Sequence, residues 1–337
     1  MNPFSYVRAH DTADAVCEAV AQGAKFLAGG TNLVDLMKEN VERPEKLIDI
    51  NHLPFDQIES TPAGGLRIGA LVRNSDAAYD ERVVRHYPLL SSALLAGASP
   101  QLRNAATIGG NLLQRTRCCY FYDVATSCNK RSPGSGCGAI GGVNRMHAIL
   151  GTSDRCIAAN PSDMCVALAV LNAEVHATDV EGSRIIPFAK FHRLPGDRPE
   201  LDTNLKPGEL VTAIDLPPED FASHYTYLKL RDRLSYAFAL VSVAAVLQIE
   251  RNRIVEARIA LGGVAHKPWR DRSAELLLVG RAPTEPTYLQ CATELLRGAK
   301  GFGHNDFKIE LARRAITRAL QQAAAGKPQS QTDKRVA

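Results

Sequence analysis

KFLAGGTNLVDLMK, residues 25–38, is the stretch on which the reading of this chain turns. A short apolar strand runs into Gly29 and Gly30, then into a hydroxyl and an amide, Thr31 and Asn32, then into a helical turn from Leu33. Glycines carry no Cβ, so backbone N–H groups there can approach an anion closely. A helix N-terminus adds further donors and the positive end of a dipole. An ordinary strand-to-helix turn has the same composition. The common doubly wound dinucleotide fingerprint is absent, since the third glycine and the downstream acid are missing.

Two further stretches echo the first. ATIGGNLLQ (106–114) again sets two adjacent glycines and an asparagine after a β-branched residue. It reads as a Gly-rich turn, either a second backbone clamp or a bulge at a sheet edge. In AANPSDMCVALAVL (158–171), Pro161 restricts Asn160, and Ser162 or Asp163 can cap an apolar helix. Asp163 serves either as that cap or as a hydrogen-bond partner for a ligand hydroxyl.

Between the second and third stretches lies a long Gly/Ser/Asn-rich loop. It holds Cys118, Cys119, Cys128, Cys137 and Cys156, five of the chain's 8 cysteines. A loop this long inside a compact domain usually serves a function. It has no CxxC knuckle and no histidine pair at zinc spacing, which argues against a zinc ribbon. Four thiolates are what a [4Fe–4S] cluster requires. Adjacent side chains in extended chain point opposite ways, so only one of Cys118 and Cys119 should reach the cluster. His147, the loop's one histidine, reads as packed or exposed. Arg115, Arg117, Lys130, Arg131, Arg145 and Arg155 outnumber Asp123 and Asp154 there, as in a solvated loop or one compensating a buried anionic group. Cys17, Cys165 and Cys291 fall on apolar helical faces and read as core.

The remainder fits an ordinary soluble chain. Its 337 residues suggest two domains or three small ones. Hydrophobic content is 45% and charged content 23%. A net charge of +4 is too mild to argue for nucleic acid, and no nucleic-acid-reading motif is present. The first twenty residues lack a basic segment followed by an apolar one, so no signal peptide is expected. No run reaches the roughly 18–20 apolar residues of a membrane span. The longest apolar run, YAFALVSVAAVLQI (236–249), reads as one or two buried strands. Asp11 or Thr12 should cap a helix, and Arg251-Asn252-Arg253 should turn a hairpin. A boundary is expected near residues 217–224, with an α+β half beyond it.

Taken together, these motifs resemble the FAD-binding medium subunit of the xanthine dehydrogenase/aldehyde oxidoreductase family of molybdenum hydroxylases. KFLAGGTNLVDLMK is similar to the family's first flavin motif, ATIGGN to its second and NPSD to its acidic helix-cap motif. LKPGELVTAIDLP and YLKLRDRLSYAFALVSVAA are similar to the strand and Lys-bearing segment that follow. The resemblance runs from Phe4 to about residue 325. It implies an α+β chain: a two-part, PCMH-like FAD-binding α/β domain at 1–220, then a C-terminal α+β domain of the CO dehydrogenase flavoprotein type at 221–325, and a loose tail at 326–337. Phe26, Leu27, Ala28, Gly29, Gly30, Thr31, Asn32, Leu33 and Val34 would wrap the FAD pyrophosphate. Thr107, Gly109, Gly110, Asn111 and Leu113 would contact the diphosphate and flavin surroundings, Asp163 the polar chain, and Lys229 the region near the flavin ring.

Most of the family lacks the cysteine loop. The insertion at 114–157 resembles that of a minority carrying an extra [4Fe–4S] cluster, and is most similar to bacterial heterotrimeric periplasmic aldehyde oxidoreductases. There the first ligand follows Thr-Arg, which favours Cys118 over Cys119 beside Cys128, Cys137 and Cys156. The resemblance implies a redox subunit with no catalytic residue for substrate oxidation of its own. Its partners would be a large molybdenum-cofactor subunit, a small [2Fe–2S] subunit and an external electron acceptor. Export to the periplasm would occur with a signal-bearing partner; the alternative is the cytoplasm. A self-sufficient FAD oxidase and a metal-stapled docking module are the other two readings of the same residues.

Overall fold

The computed structural model describes residues 1–219 and 221–331. Three sheets organise an α+β chain. The first is parallel, with Lys46–Asp49 flanked by Ser5–Arg8 and Ala24–Leu27. Its Ile48 packs with Ala15 and Val16 of the Thr12–Glu18 helix, whose N-terminus Asp11 caps by accepting from the Asp14 amide at 2.8 Å. Because this short helix buries Ala15 and Val16, Cys17 turns outward and is exposed, against its expected place in the core. Cys165 and Cys291 are buried as expected.

The second sheet is antiparallel, in the order Ile58–Ser60, Leu66–Gly69, Leu210–Leu216, Glu174–Asp179, Gly182–Pro187. Its core, around Ile68, Val175 and Ile214, packs against the apolar helices Pro88–Ala96 and Asp163–Val170.

The third sheet is an antiparallel meander of Tyr225–Leu230, Val241–Glu250 and Arg253–Gly262. Arg251 and Asn252 turn its hairpin at φ of 48° and 61°, the backbone that a two-residue turn of matching twist requires. Ala244 and Val246 face the core shared with the FAD-motif half, whereas Val243, Ala245 and Leu247 face the helices Glu285–Leu295 and Phe307–Ala324. A strand covered on both faces shows no apolar–polar alternation. The strand begins only at Val241, however, and Tyr236 and Phe238 sit exposed in the loop before it. The apolar run is therefore loop up to Leu240 and strand from Val241.

One expectation at the end of the chain changes. Gln329 accepts from the Lys229 amide at 2.8 Å, and Gln331 donates to the Tyr227 carbonyl at 3.0 Å. The chain is thus tied to the meander through Gln331 rather than loose from 326, and residues 332–337 lie outside the described residues. The cysteine insertion is anchored too. Ile149 and Leu150 enter the C-terminal core, and both their amides donate to the Val264 carbonyl.

Candidate functional site

The first motif forms a cradle. Strand Ala24–Leu27 delivers the chain to Gly29, whose α-carbon is pressed against the Ala105 backbone: a Cβ there would lie 1.9 Å from the Ala105 carbonyl oxygen. Gly30 follows with φ of 70°, a conformation that costs glycine little. Every residue from Phe26 to Val34 is half-buried. Among the described residues, the amides of Gly29, Gly30, Thr31 and Asn32 have no intramolecular acceptor. The Asn32 side chain accepts from the Arg115 amide at 2.9 Å, while its Nδ2 is buried with no partner. Unspent donors gathered beside a tight backbone turn suit a phosphate-bearing ligand.

The second motif differs from the expected turn. Thr107 caps a one-turn helix, Ile108–Leu112, accepting from the Gly110 amide at 3.1 Å. The Gly109 amide donates to Ala70 and the Asn111 amide to Thr107, so these donors are spent within the fold. What remains outward is the exposed face at Gly110 and Leu113. Asn111 reaches across to the third motif, accepting from the Ser162 hydroxyl at 2.7 Å.

Ser162, not Asp163, caps the Asp163–Val170 helix, accepting from the Cys165 amide at 3.1 Å. That frees Asp163 to meet the C-terminal domain. Its carboxylate accepts from Tyr227 Oη at 2.7 Å and from Lys229 Nζ at 2.8 Å. Lys229 also donates to the Ala96 carbonyl at 3.0 Å. Asp163 lines a cavity of about 140 Å³ together with Thr116, Cys118, His147, Asn160 and Phe238; Lys229 does not, standing behind the acid. The meander therefore positions the acid, a role for Tyr227 that no local sequence pattern signals.

The cysteine loop closes on itself. Cys128 and Cys137 pair as an antiparallel bridge, as do Ser153 and Cys156. Cys118, Cys128, Cys137 and Cys156 all line one small cavity, with Lys130 and Arg155. Cys119 does not line it: it opens the short helix Cys119–Tyr122 and is exposed. Burial pushes the Cys118 thiol up to about 12, against the pull of the Phe121 and Tyr120 amides. Burial likewise takes Cys156 to about 11, against the nearby Lys130. Among the described residues, no three or more His, Cys, Asp or Glu side chains converge on a point that could hold a single metal ion. The four thiols share the lining of the small cavity instead.

Two residues of the loop, each left with two readings by the sequence, are buried. Lys130 is buried, donating to Asp202 at 2.5 Å and to the Pro199 carbonyl at 2.6 Å. Part of the basic excess therefore lies inside the protein, not in solvent. His147 is buried as well, its Nε2 lying 3.1 Å from Cys118 Sγ.

Residues 2–219 match a family model described as the FAD binding domain in molybdopterin dehydrogenase, and residues 225–323 one described as the CO dehydrogenase flavoprotein C-terminal domain. The chain belongs to the FAD-binding medium subunits of the molybdenum hydroxylases. It is 52% identical to the aldehyde oxidoreductase FAD-binding subunit PaoB of Escherichia coli (strain K12), over 96% of this chain and 99% of that one. It is 26% identical to the carbon monoxide dehydrogenase medium chain of Afipia carboxidovorans, over 96% and 97% of the two chains. Among solved structures, a carbon monoxide dehydrogenase from Hydrogenophaga pseudoflava superposes with a TM-score of 0.76 at 25% identity, covering 97% of this chain and 99% of that one. This medium subunit is thus part of an oxidoreductase of the molybdenum hydroxylase type. Its relatives are named as subunits or chains of larger enzymes, which favours neither the self-sufficient oxidase nor the docking module. No helix among the described residues is long and apolar enough to cross a membrane.

Proposed function

We propose that this medium subunit binds FAD and a [4Fe–4S] cluster and serves as the electron outlet of a molybdenum-dependent aldehyde oxidoreductase. The aldehyde is oxidised on a large molybdenum-cofactor partner, and a small [2Fe–2S] partner completes a heterotrimer, which is exported to the periplasm with a signal-bearing subunit. The observation that carries the activity is the 52% identity, across nearly the whole of both chains, to an aldehyde oxidoreductase FAD-binding subunit. Bound FAD supplies exchange of electrons singly or in pairs, which suits a junction between one-electron centres and an external acceptor.

The chain's own contribution is binding and orientation. The Phe26–Val34 cradle offers its unspent amides to the FAD diphosphate, the Gly110–Leu113 face lies beside it, and Asp163, steadied by Tyr227 and Lys229, accepts from a hydroxyl of the polar chain. Cys118, Cys128, Cys137 and Cys156 hold the cluster. Buried thiols that resist ionisation on their own are deprotonated when they ligate iron, and Lys130 beside Cys156 favours the anionic assembly.

The test is the absorbance spectrum and iron content of the purified chain. Flavin bands over a broad iron–sulfur shoulder, with about four irons per chain, are expected from the cluster stoichiometry. Cys128→Ser should lose the shoulder and most of the iron yet keep the flavin bands. Cys119→Ser should lose neither. A wild-type chain with neither chromophore would refute the proposal. The chain alone should not oxidise aldehydes, and turnover should require both partners.

A further inference from the structure

Of all the residues around the two cavities, Thr116 and Cys118 alone line both the 140 Å³ cavity beside Asp163 and the cysteine cavity. Cys118 is therefore the wall between them. Thr116 fixes its backbone: the hydroxyl accepts from the Cys118 amide at 3.3 Å and donates to the Ala159 carbonyl at 3.0 Å. Beside the Tyr120 and Phe121 amides, its sulfur also meets His147, from the far end of the same insertion, with Nε2 at 3.1 Å. Among the described residues, no imidazole partners Cys128, Cys137 or Cys156.

The backbone of His147 is held from both sides. The His147 amide donates to Asn144 at 2.9 Å. Its carbonyl accepts from Lys308 Nζ at 2.8 Å and from Asn305 Nδ2 at 3.3 Å, and Asn305 and Lys308 are themselves fully buried in the C-terminal domain. The other ring nitrogen, Nδ1, is buried with no partner. A neutral imidazole carries one N–H, and a buried N–H without an acceptor is costly. Among the described residues Nδ1 has no partner and Nε2 has the Cys118 sulfur within reach, so the proton is placed on Nε2. Bound to iron, that sulfur has lost its own proton and can only accept.

We propose that His147 donates its Nε2–H to the Cys118 thiolate and thereby raises the reduction potential of the cluster this loop holds. The inference rests on the cluster reading above. Hydrogen bonds to ligating sulfurs withdraw charge from the cluster and stabilise the more negative, reduced state. His147 is a positioning and tuning residue, not a ligand, and the C-terminal domain holds it in place.

The experiment is an anaerobic redox titration of the full chain, followed by the electron paramagnetic resonance signal of the reduced cluster, on wild type and three variants. His147→Phe keeps a ring but no donor. His147→Gln places an amide N–H where Nε2 sat, and His147→Asn is too short to reach. At fixed potential the reduced-to-oxidised ratio should fall about tenfold in the Phe and Asn variants, equivalent to 59 mV for one electron. It should stay within about twofold of wild type in the Gln variant, which restores one charge-assisted bond. Equal midpoints in the Gln and Asn variants, or a wild-type midpoint in an iron-replete Phe variant, would overturn the inference and leave the cluster reading standing. Loss of iron in the Gln variant would also overturn it, by making His147 a ligand. A wild-type chain without iron would overturn both.

Discussion

Gly29→Val should give a chain that keeps its iron but emerges from desalting with less than about a tenth of its flavin, each loss of about 1.4 kcal/mol of contact weakening FAD binding about tenfold. The Cβ alone would sit 1.9 Å from the Ala105 carbonyl oxygen and 2.8 Å from its carbon, both backbone atoms with no rotamer to yield. The loop must move away from Ala105 and carry with it the amides of Gly29, Gly30 and Thr31. Overpacking of this kind costs about 1–3 kcal/mol in stability, which a domain of this size can absorb. The distance between the cradle and its ligand changes in the same step, and there the cost is affinity. Cys119→Ser is the control, because Cys119 is exposed and lines neither cavity. Flavin-to-protein absorbance ratio, iron content and circular dichroism separate the outcomes. A folded Gly29→Val chain with a full complement of flavin would remove the cradle from the FAD site.

Where the sequence spoke clearly, the chemistry was local. Two glycines between a strand and a helix, a serine or aspartate after Asn-Pro, and a run of cysteines each carry their constraint within a dozen residues. The departures arose where a distant segment decides. Two adjacent glycines argue against helix, yet Thr107 caps Gly109 and Gly110 into one, because Ala70 and Val72 receive the amides of Gly109 and Ile108. Asp163 is available for the site because Ser162 takes the cap, a choice that either residue type permits locally. The Val241–Glu250 strand hides its register because both faces are covered, one by each domain. His147 looks like any loop histidine until Asn305 and Lys308, about 160 residues downstream, fold onto its carbonyl. Lys130 could be read as solvated or as compensating a buried anion, because its carboxylate, Asp202, lies 72 residues away.

That last pair supports the other large effect. Asp202→Asn should destabilise the cysteine insertion by about 3–5 kcal/mol, the cost of leaving a buried charge without its partner. Asp202 accepts from Lys130, whose side chain is 1% exposed, pairs with Arg115 at the start of the insertion, and lies 3.4 Å from His266 of the C-terminal domain. One carboxylate thus joins three segments that no sheet joins. Burial alone would raise the Asp202 pKa, but the charges of Lys130 and Arg115 outweigh it and hold the carboxyl far below the usual range. A depressed carboxylate stabilises the fold fully above its unfolded value, about 4, and the contribution fades as pH falls below that toward the folded value. The gap between wild type and Asp202→Asn should therefore be constant near neutrality and narrow only below about pH 4, where wild type loses the same charge. Because the chain has more than one domain, a global melt would blur the effect. Hydrogen exchange of residues 128–156 and retention of iron report it directly. The double variant Asp202→Asn, Lys130→Met should recover most of the loss, since neither buried charge then stands alone. If the double variant is no better than the single, the pair is not what holds the insertion, and the cysteine cavity must owe its shape to the anchor at Ile149 and Leu150 instead.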